Sequence, residues 1–215
     1  MPQSAPDSIF FSTPAGKVQV YVDQPQGQCK GFALVCHPHP LVGGTPQHKV
    51  PTLLAQILAE QGCVVYRPNF RGVGQSDGVH DDGFGETEDM LSLIEQLHQR
   101  HAGLNFYVAG FSFGSHVLAK CQLRLPEALK PKQLILCGLP TADVAGLRCY
   151  DTPAFKADLL LIHGEKDDIT LLSDLMTWAR PQRHLITVLP GANHYFTGYL
   201  NQLRQAISRF LNVTT

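Results

Sequence analysis

The sequence predicts a mostly parallel, twisted α/β sheet with helices on both faces and an antiparallel hairpin at its N-terminal end. Three observations predict it. Apolar runs of strand length, such as GFALVC and QLILCGL, are continuous rather than alternating, as in strands buried on both faces. Between such runs, apolar residues recur with the period of a helix that buries one side. Glycine or proline marks most of the changes from one pattern to the other. Repeated β–α units of this kind pair in parallel through right-handed crossovers.

In chain order, SIFFST and KVQVYVDQ flank the turn signal PAG and form the hairpin. GFALVC is a buried strand. Val50, Leu53, Leu54, Ile57 and Leu58 then trace one helical face, and Gly62 stops that helix. CVVYRPNF is the next strand, followed by a glycine-rich loop. Residues near Glu86–Arg100 form a helix with Met90, Ile94 and Leu97 inward. LNFYVAG is a strand, and Phe113–Leu125 a helix ended by Pro126. QLILCGL and DLLLIHG are strands. Leu171–Ala179 is helical up to Pro181, HLITVLP is the last strand, and the terminal helix carries Leu200, Leu203, Ile207 and Phe210. No repeat, low-complexity tract or linker divides the chain, so the 215 residues are expected to form one domain, 1–215.

Composition narrows the function. A formal net charge of -1, with no Lys/Arg run, excludes a nucleic-acid or anionic-membrane surface. No apolar run approaches the roughly 20 residues of a membrane span. The start, MPQSAPDSIF, lacks the basic and then apolar pattern of a signal peptide. The six cysteines form no CxxC pair and several lie in apolar runs, which predicts buried free thiols in a reducing compartment. A cytoplasmic enzyme or binding domain is the expectation.

In open α/β sheets, ligands bind beyond the carboxyl ends of the strands. There, Gly110-Phe111-Ser112-Phe113-Gly114 matches G-x-S-x-G where strand period gives way to helix. A sharp turn at that point lifts the Ser112 hydroxyl clear of the sheet, and the glycines let strand and helix approach. Serine needs a base, and the base needs orienting. DLLLIHG runs into Glu165, Asp167 and Asp168, and the last strand ends in GANHYF, which carries His194. The nucleophile, acid and histidine thus follow in the order Ser, Asp, His.

HPHPLVGGT, YRPNFRGVGQSDG, GFSFGS, HGEKDD and GANHYF together resemble the α/β-hydrolase superfamily, and within it small lidless bacterial carboxylesterase-like proteins akin to dienelactone hydrolases. The resemblance spans nearly the whole chain. It implies a serine hydrolase with Ser112 as nucleophile, His194 as general base and acid, and Asp167 as orienting carboxylate. Dienelactone hydrolases use cysteine where this chain has Ser112, which favours ordinary ester chemistry. Asp168 and Asp143 are the alternative acids.

An oxyanion hole needs two donors. One is the Phe113 N–H, which follows the nucleophile at a helix N-terminus. The other comes from CHPHPLVGG. Pro38 and Pro40 have no N–H, so His37, His39 and Leu41 remain, and the resemblance picks His39. The His37-x-His39 pair lacks further ligands at zinc spacing, so no metal is expected. NFRGVGQSDG lacks the full dinucleotide glycine pattern and GK[ST], so no cofactor is expected either. Asn69 and Arg71 there are read as ties between loops.

Only the 18 residues PTADVAGLRCYDTPAFKA separate QLILCGL from DLLLIHG, too few for a multi-helix cap. The expectation is therefore an open site for a small-molecule ester with a short or flexible acyl group. A thioesterase, peptidase or C–C hydrolase would use the same residues. A non-catalytic binding module would show a broken triad.

Overall fold

The computed structural model describes residues 8–25, 27–144 and 148–212. Strands β1 (Ser8–Thr13) and β2 (Gly16–Asp23) pair antiparallel, from Ser8 opposite Tyr21 to Thr13 opposite Gly16. The chain continues through β3 (Gly31–Cys36), α1 (Lys49–Glu60), β4 (Cys63–Pro68), α2 (Phe84–Arg100), β5 (Asn105–Phe111), α3 (Phe113–Arg124) and β6 (Gln133–Cys137). Then come β7 (Asp143–Val144), β8 (Arg148–Cys149), β9 (Leu159–Gly164), α4 (Leu172–Gln182), β10 (Ile186–Leu189) and α5 (Leu200–Asn212). The main sheet has the order β1-β2-β4-β3-β5-β6-β9-β10. All pairs from β4 to β10 are parallel, and β2 joins β4 antiparallel.

Successive side chains of a strand point to opposite faces, which is why the central strands are apolar throughout. In β3, Phe32, Leu34 and Cys36 join one core with Met90, Leu93 and Leu97 of α2, Val117 and Leu118 of α3, and Leu175 of α4. Ala33 and Val35 face the other way, with Leu54, Ile57 and Leu58 of α1 and Leu203 and Ile207 of α5. The helix periodicity read from Val50 to Leu58 therefore marks a buried stripe, as expected.

The parallel register aligns the strand ends. Cys36 lies opposite Gly110, Phe111 opposite Cys137, Cys137 opposite Ile162, and Gly164 opposite Leu189. The loops after β3, β5, β6, β9 and β10 consequently leave the sheet along one edge. Among the described residues, no helix is long and apolar enough to cross a membrane.

Three details differ from the sequence reading. The segment between β6 and β9 holds an antiparallel pair, β7–β8, where none was foreseen. Helix α4 runs through Pro181 to Gln182. Proline there removes one hydrogen bond in the last turn only, and Arg183 at φ 59° closes the helix, its N–H donating to the Arg180 carbonyl. All six cysteines are free, yet only four are buried, since Cys29 and Cys149 are exposed. Burial pushes the thiols of Cys63, Cys121 and Cys137 up to about 12, which keeps them protonated and inert.

Candidate active site

Ser112 sits between the last residue of β5 and the first of α3, at φ 53° and ψ −120°. A side chain in that region carries strain of about 1–3 kcal/mol. The surroundings hold it there. The Ser112 N–H donates to the Cys137 carbonyl at 2.8 Å, and Ser115 Oγ donates to the same oxygen at 3.1 Å. A β-carbon on Gly110 would stand 2.7 Å from the Ser115 nitrogen, and one on Gly114 would overlap the Cys36 carbonyl. Both glycines of the motif are therefore required by close approach, as the motif implied.

Asp167 and His194 come together at the ends of β9 and β10. His194 Nδ1 lies 2.7 Å from Asp167 Oδ2. The other carboxylate oxygen accepts the N–H groups of Ile169 at 3.0 Å and Thr170 at 2.8 Å. Thr170 Oγ1 donates to Oδ2 at 2.9 Å. Burial disfavours the carboxylate, but the hydrogen bond and charge of His194 and the Thr170 N–H outweigh it, and the Asp167 pKa falls below its ordinary value. The rival acids stand apart: Asp168 is exposed, and Asp143 lies on the exposed edge of β7 opposite Cys149.

In the loop after β3, His37 is fully buried, and its ring is bound at both nitrogens. Nδ1 donates to the Pro38 carbonyl at 2.7 Å, and Nε2 accepts the Phe70 N–H at 3.0 Å. His37 thus ties this loop to the chain after β4. His39 begins a short 3₁₀ turn at Pro40–Val42, and its Nδ1 faces the Leu41 N–H at 3.2 Å. That contact engages the Leu41 donor. The N–H groups of His39 and Phe113 meet no protein acceptor among the described residues. The two residues adjoin, their rings 5.0 Å apart between centroids.

Ser112, His39 and His194 line one cavity of about 610 Å³, together with apolar Leu41, Val42, Val144 and Ile169 and with Arg148 and Tyr150. Asn69 donates to Gln19 at 2.7 Å and Arg71 pairs with Asp89 at 2.8 Å, so they tie this loop to strand β2 and helix α2 rather than to other loops.

Residues 44–144 match the family described as serine aminopeptidase, S33. An α/β serine hydrolase homologue from Coxiella burnetii is 31% identical, with 94% of this chain and 96% of that chain covered, at a TM-score of 0.84. An α/β serine hydrolase without lid from Xanthomonas campestris is 30% identical over 97% of this chain and 94% of its own, also at 0.84. This chain belongs to the α/β-hydrolase superfamily, in its small lidless group. An uncharacterized protein of Rickettsia prowazekii is 29% identical over 94% of this chain and 87% of that protein.

The hydrolase carries further cavity residues that the sequence reading passed over. Thr170 braces the carboxylate, and a trace was visible in the sequence: an aspartate whose oxygen accepts N–H groups two and three residues on makes a local turn that threonine suits. Arg148 and Tyr150 arrive on and just after β8, where many hydrolases carry a cap. No periodicity marks so short a pair of strands.

Proposed function

We propose that this hydrolase cleaves carboxylic esters with short or flexible acyl groups through an acyl-enzyme on Ser112. One observation carries the reading: Ser112, held at positive φ, opens into the same cavity as His194, whose Nδ1 is bound to the buried Asp167. With Nδ1 so engaged, Nε2 is the nitrogen left to exchange protons.

Ser112 Oγ attacks the ester carbonyl while His194 Nε2 takes its proton. The oxygen becomes an oxyanion between the Phe113 and His39 N–H groups, and Asp167 stabilises the imidazolium. The carbonyl re-forms as the bond to the alkoxy group breaks, and His194 gives that group its proton. A water, deprotonated by His194, then repeats the sequence and releases the acid from Ser112.

The matched family's description raises a second reading, cleavage of an N-terminal amide. An aminopeptidase needs a carboxylate to receive the substrate's ammonium group. Among the described cavity residues the only acid is Asp82, and the Arg148 guanidinium beside it repels a second cation such as an ammonium group. The ester reading is therefore preferred. A panel of p-nitrophenyl esters of increasing acyl length, beside aminoacyl p-nitroanilides, tests it. Highest kcat/KM on the shortest esters supports the reading. Preference for long acyl chains or for the anilides overturns it.

A further inference from the structure

The cavity has one permanent cation among its described lining residues, Arg148, set in a wall that is otherwise largely apolar. The β7–β8 pair, occupying the place of a cap, delivers it over the site. Its side chain is only 15% exposed, lying against the rings of Phe113 and Tyr150 with its central carbon 5.8 and 5.4 Å from their centroids. Nη1 lies 2.6 Å from His39 Nε2 and 3.0 Å from His80 Nε2. Both histidines are neutral at pH 7. Burial, then His80 and Arg148, push His39 down to about 4; burial also lowers His80, against the pull of Glu86.

The guanidinium therefore has a single anionic partner among the described residues, Asp82, which contacts Nη2. Asp82 is itself 69% exposed, and its backbone is in the left-handed region at φ 52°. Only the carboxylate end of this pair is open to solvent, and that screening loosens its hold, so an anion enclosed within the cavity can replace the carboxylate. Arginine's planar fork suits carboxylate and phosphate groups. The desolvating surroundings of Phe113 and Tyr150 strengthen any such pair.

We propose that Arg148 selects esters carrying a second, anionic group, a carboxylate or phosphate on the acyl or alcohol part, and that Asp82 occupies the anion's place when the site is empty. This inference rests on the ester reading above and adds a substrate class to it. The residue adjoining the scissile carbonyl is fixed at Ser112. The anionic group then reaches Arg148 across the apolar wall, so the spacing between ester and anion sets the selection.

The test compares kcat/KM for mono-4-nitrophenyl adipate, which bears a free carboxylate, with its methyl-capped neutral counterpart. The ratio, anionic over neutral, is the readout. The expected ratio for the wild type is about tenfold or more, falling with added salt. Arg148→Met should lower the ratio at least tenfold, and Arg148→Lys should restore part of it. Asp82→Asn, an exposed position where asparagine suits the backbone, should raise the ratio. An Arg148→Met ratio equal to the wild type's, or a wild type that favours the capped ester, overturns the proposal while leaving the hydrolase reading intact. A wild type that cleaves neither ester and takes up no fluorophosphonate overturns both. If Arg148→Met fails to fold, the Asp82→Asn ratio decides: no rise overturns the proposal.

Discussion

Gly114 packs against the carbonyl of Cys36 so closely that a β-carbon has no room. This contact joins the N-terminus of α3, where Phe113 lies, to the end of β3, from which the chain runs on to His39. The first glycine of the motif serves strand–helix packing at Ser115, while the second lets α3 meet the backbone at Cys36 and His37, just before the proposed donor His39. Gly114→Ala should therefore cost about 1–3 kcal/mol of stability from overpacking. It should also lower kcat more than KM changes. Urea unfolding and ester kinetics check both parts; a stable variant with unchanged kcat would disconnect this contact from the chemistry.

The histidine at 39 is expected to act through its backbone. It has φ −57° and ψ 123°, angles that proline also adopts. His39→Pro thus removes the N–H while suiting the local backbone, and should lower kcat by about 10²–10³-fold. His39→Ala keeps the N–H and should stay within about tenfold of wild type. Equal losses in the two variants would return the role to the imidazole ring.

The Asp167 carboxylate is expected to hold His194 in one tautomer. Asp167→Asn keeps the shape but can present an N–H to Nδ1, so kcat should fall by about 10⁴-fold. Thr170→Val removes one donor to the carboxylate and leaves the charge in place. It should cost about 1.5–3 kcal/mol of stability, read by urea unfolding. Asp168→Asn, at an exposed position, should leave ester kinetics near wild type; a large loss would move the acid's role to Asp168.

Acid should destabilise the fold through buried histidines. Burial pushes His37 and His116 down to about 3, the latter also opposed by Lys120. Their folded pKa values lie below the unfolded 6.5, so the unfolded chain takes up protons first. Their contribution is fully present above pH 6.5 and is lost as pH falls toward 3. Each should give a slope of about 1.4 kcal/mol per pH unit well below 6.5. Urea unfolding between pH 7 and 4 measures it, and His116→Gln should remove about one proton's worth of slope. A flat profile over that range would contradict this account of the buried rings.

The parts of the molecule legible in the sequence are those with a repeating physical cause. GFALVC is buried on both faces and therefore continuously apolar, while α1 is buried on one side and therefore periodic. Ser112 was legible because a turn this tight demands glycines on either side. The β7–β8 pair was not, since strands of two residues carry no period and their pairing depends on what surrounds them. Arg148 was hidden for the same reason: a lone arginine in an irregular segment resembles any solvated charge until its neighbours are known. The helix through Pro181 shows the converse, a strong local stop signal that costs little in a final turn.

The most direct test of the central claim is intact-mass analysis after treatment with a fluorophosphonate. The account predicts one phosphonyl adduct on the wild-type chain and none on Ser112→Ala. An unlabelled wild type, or an adduct that persists in Ser112→Ala, would contradict it.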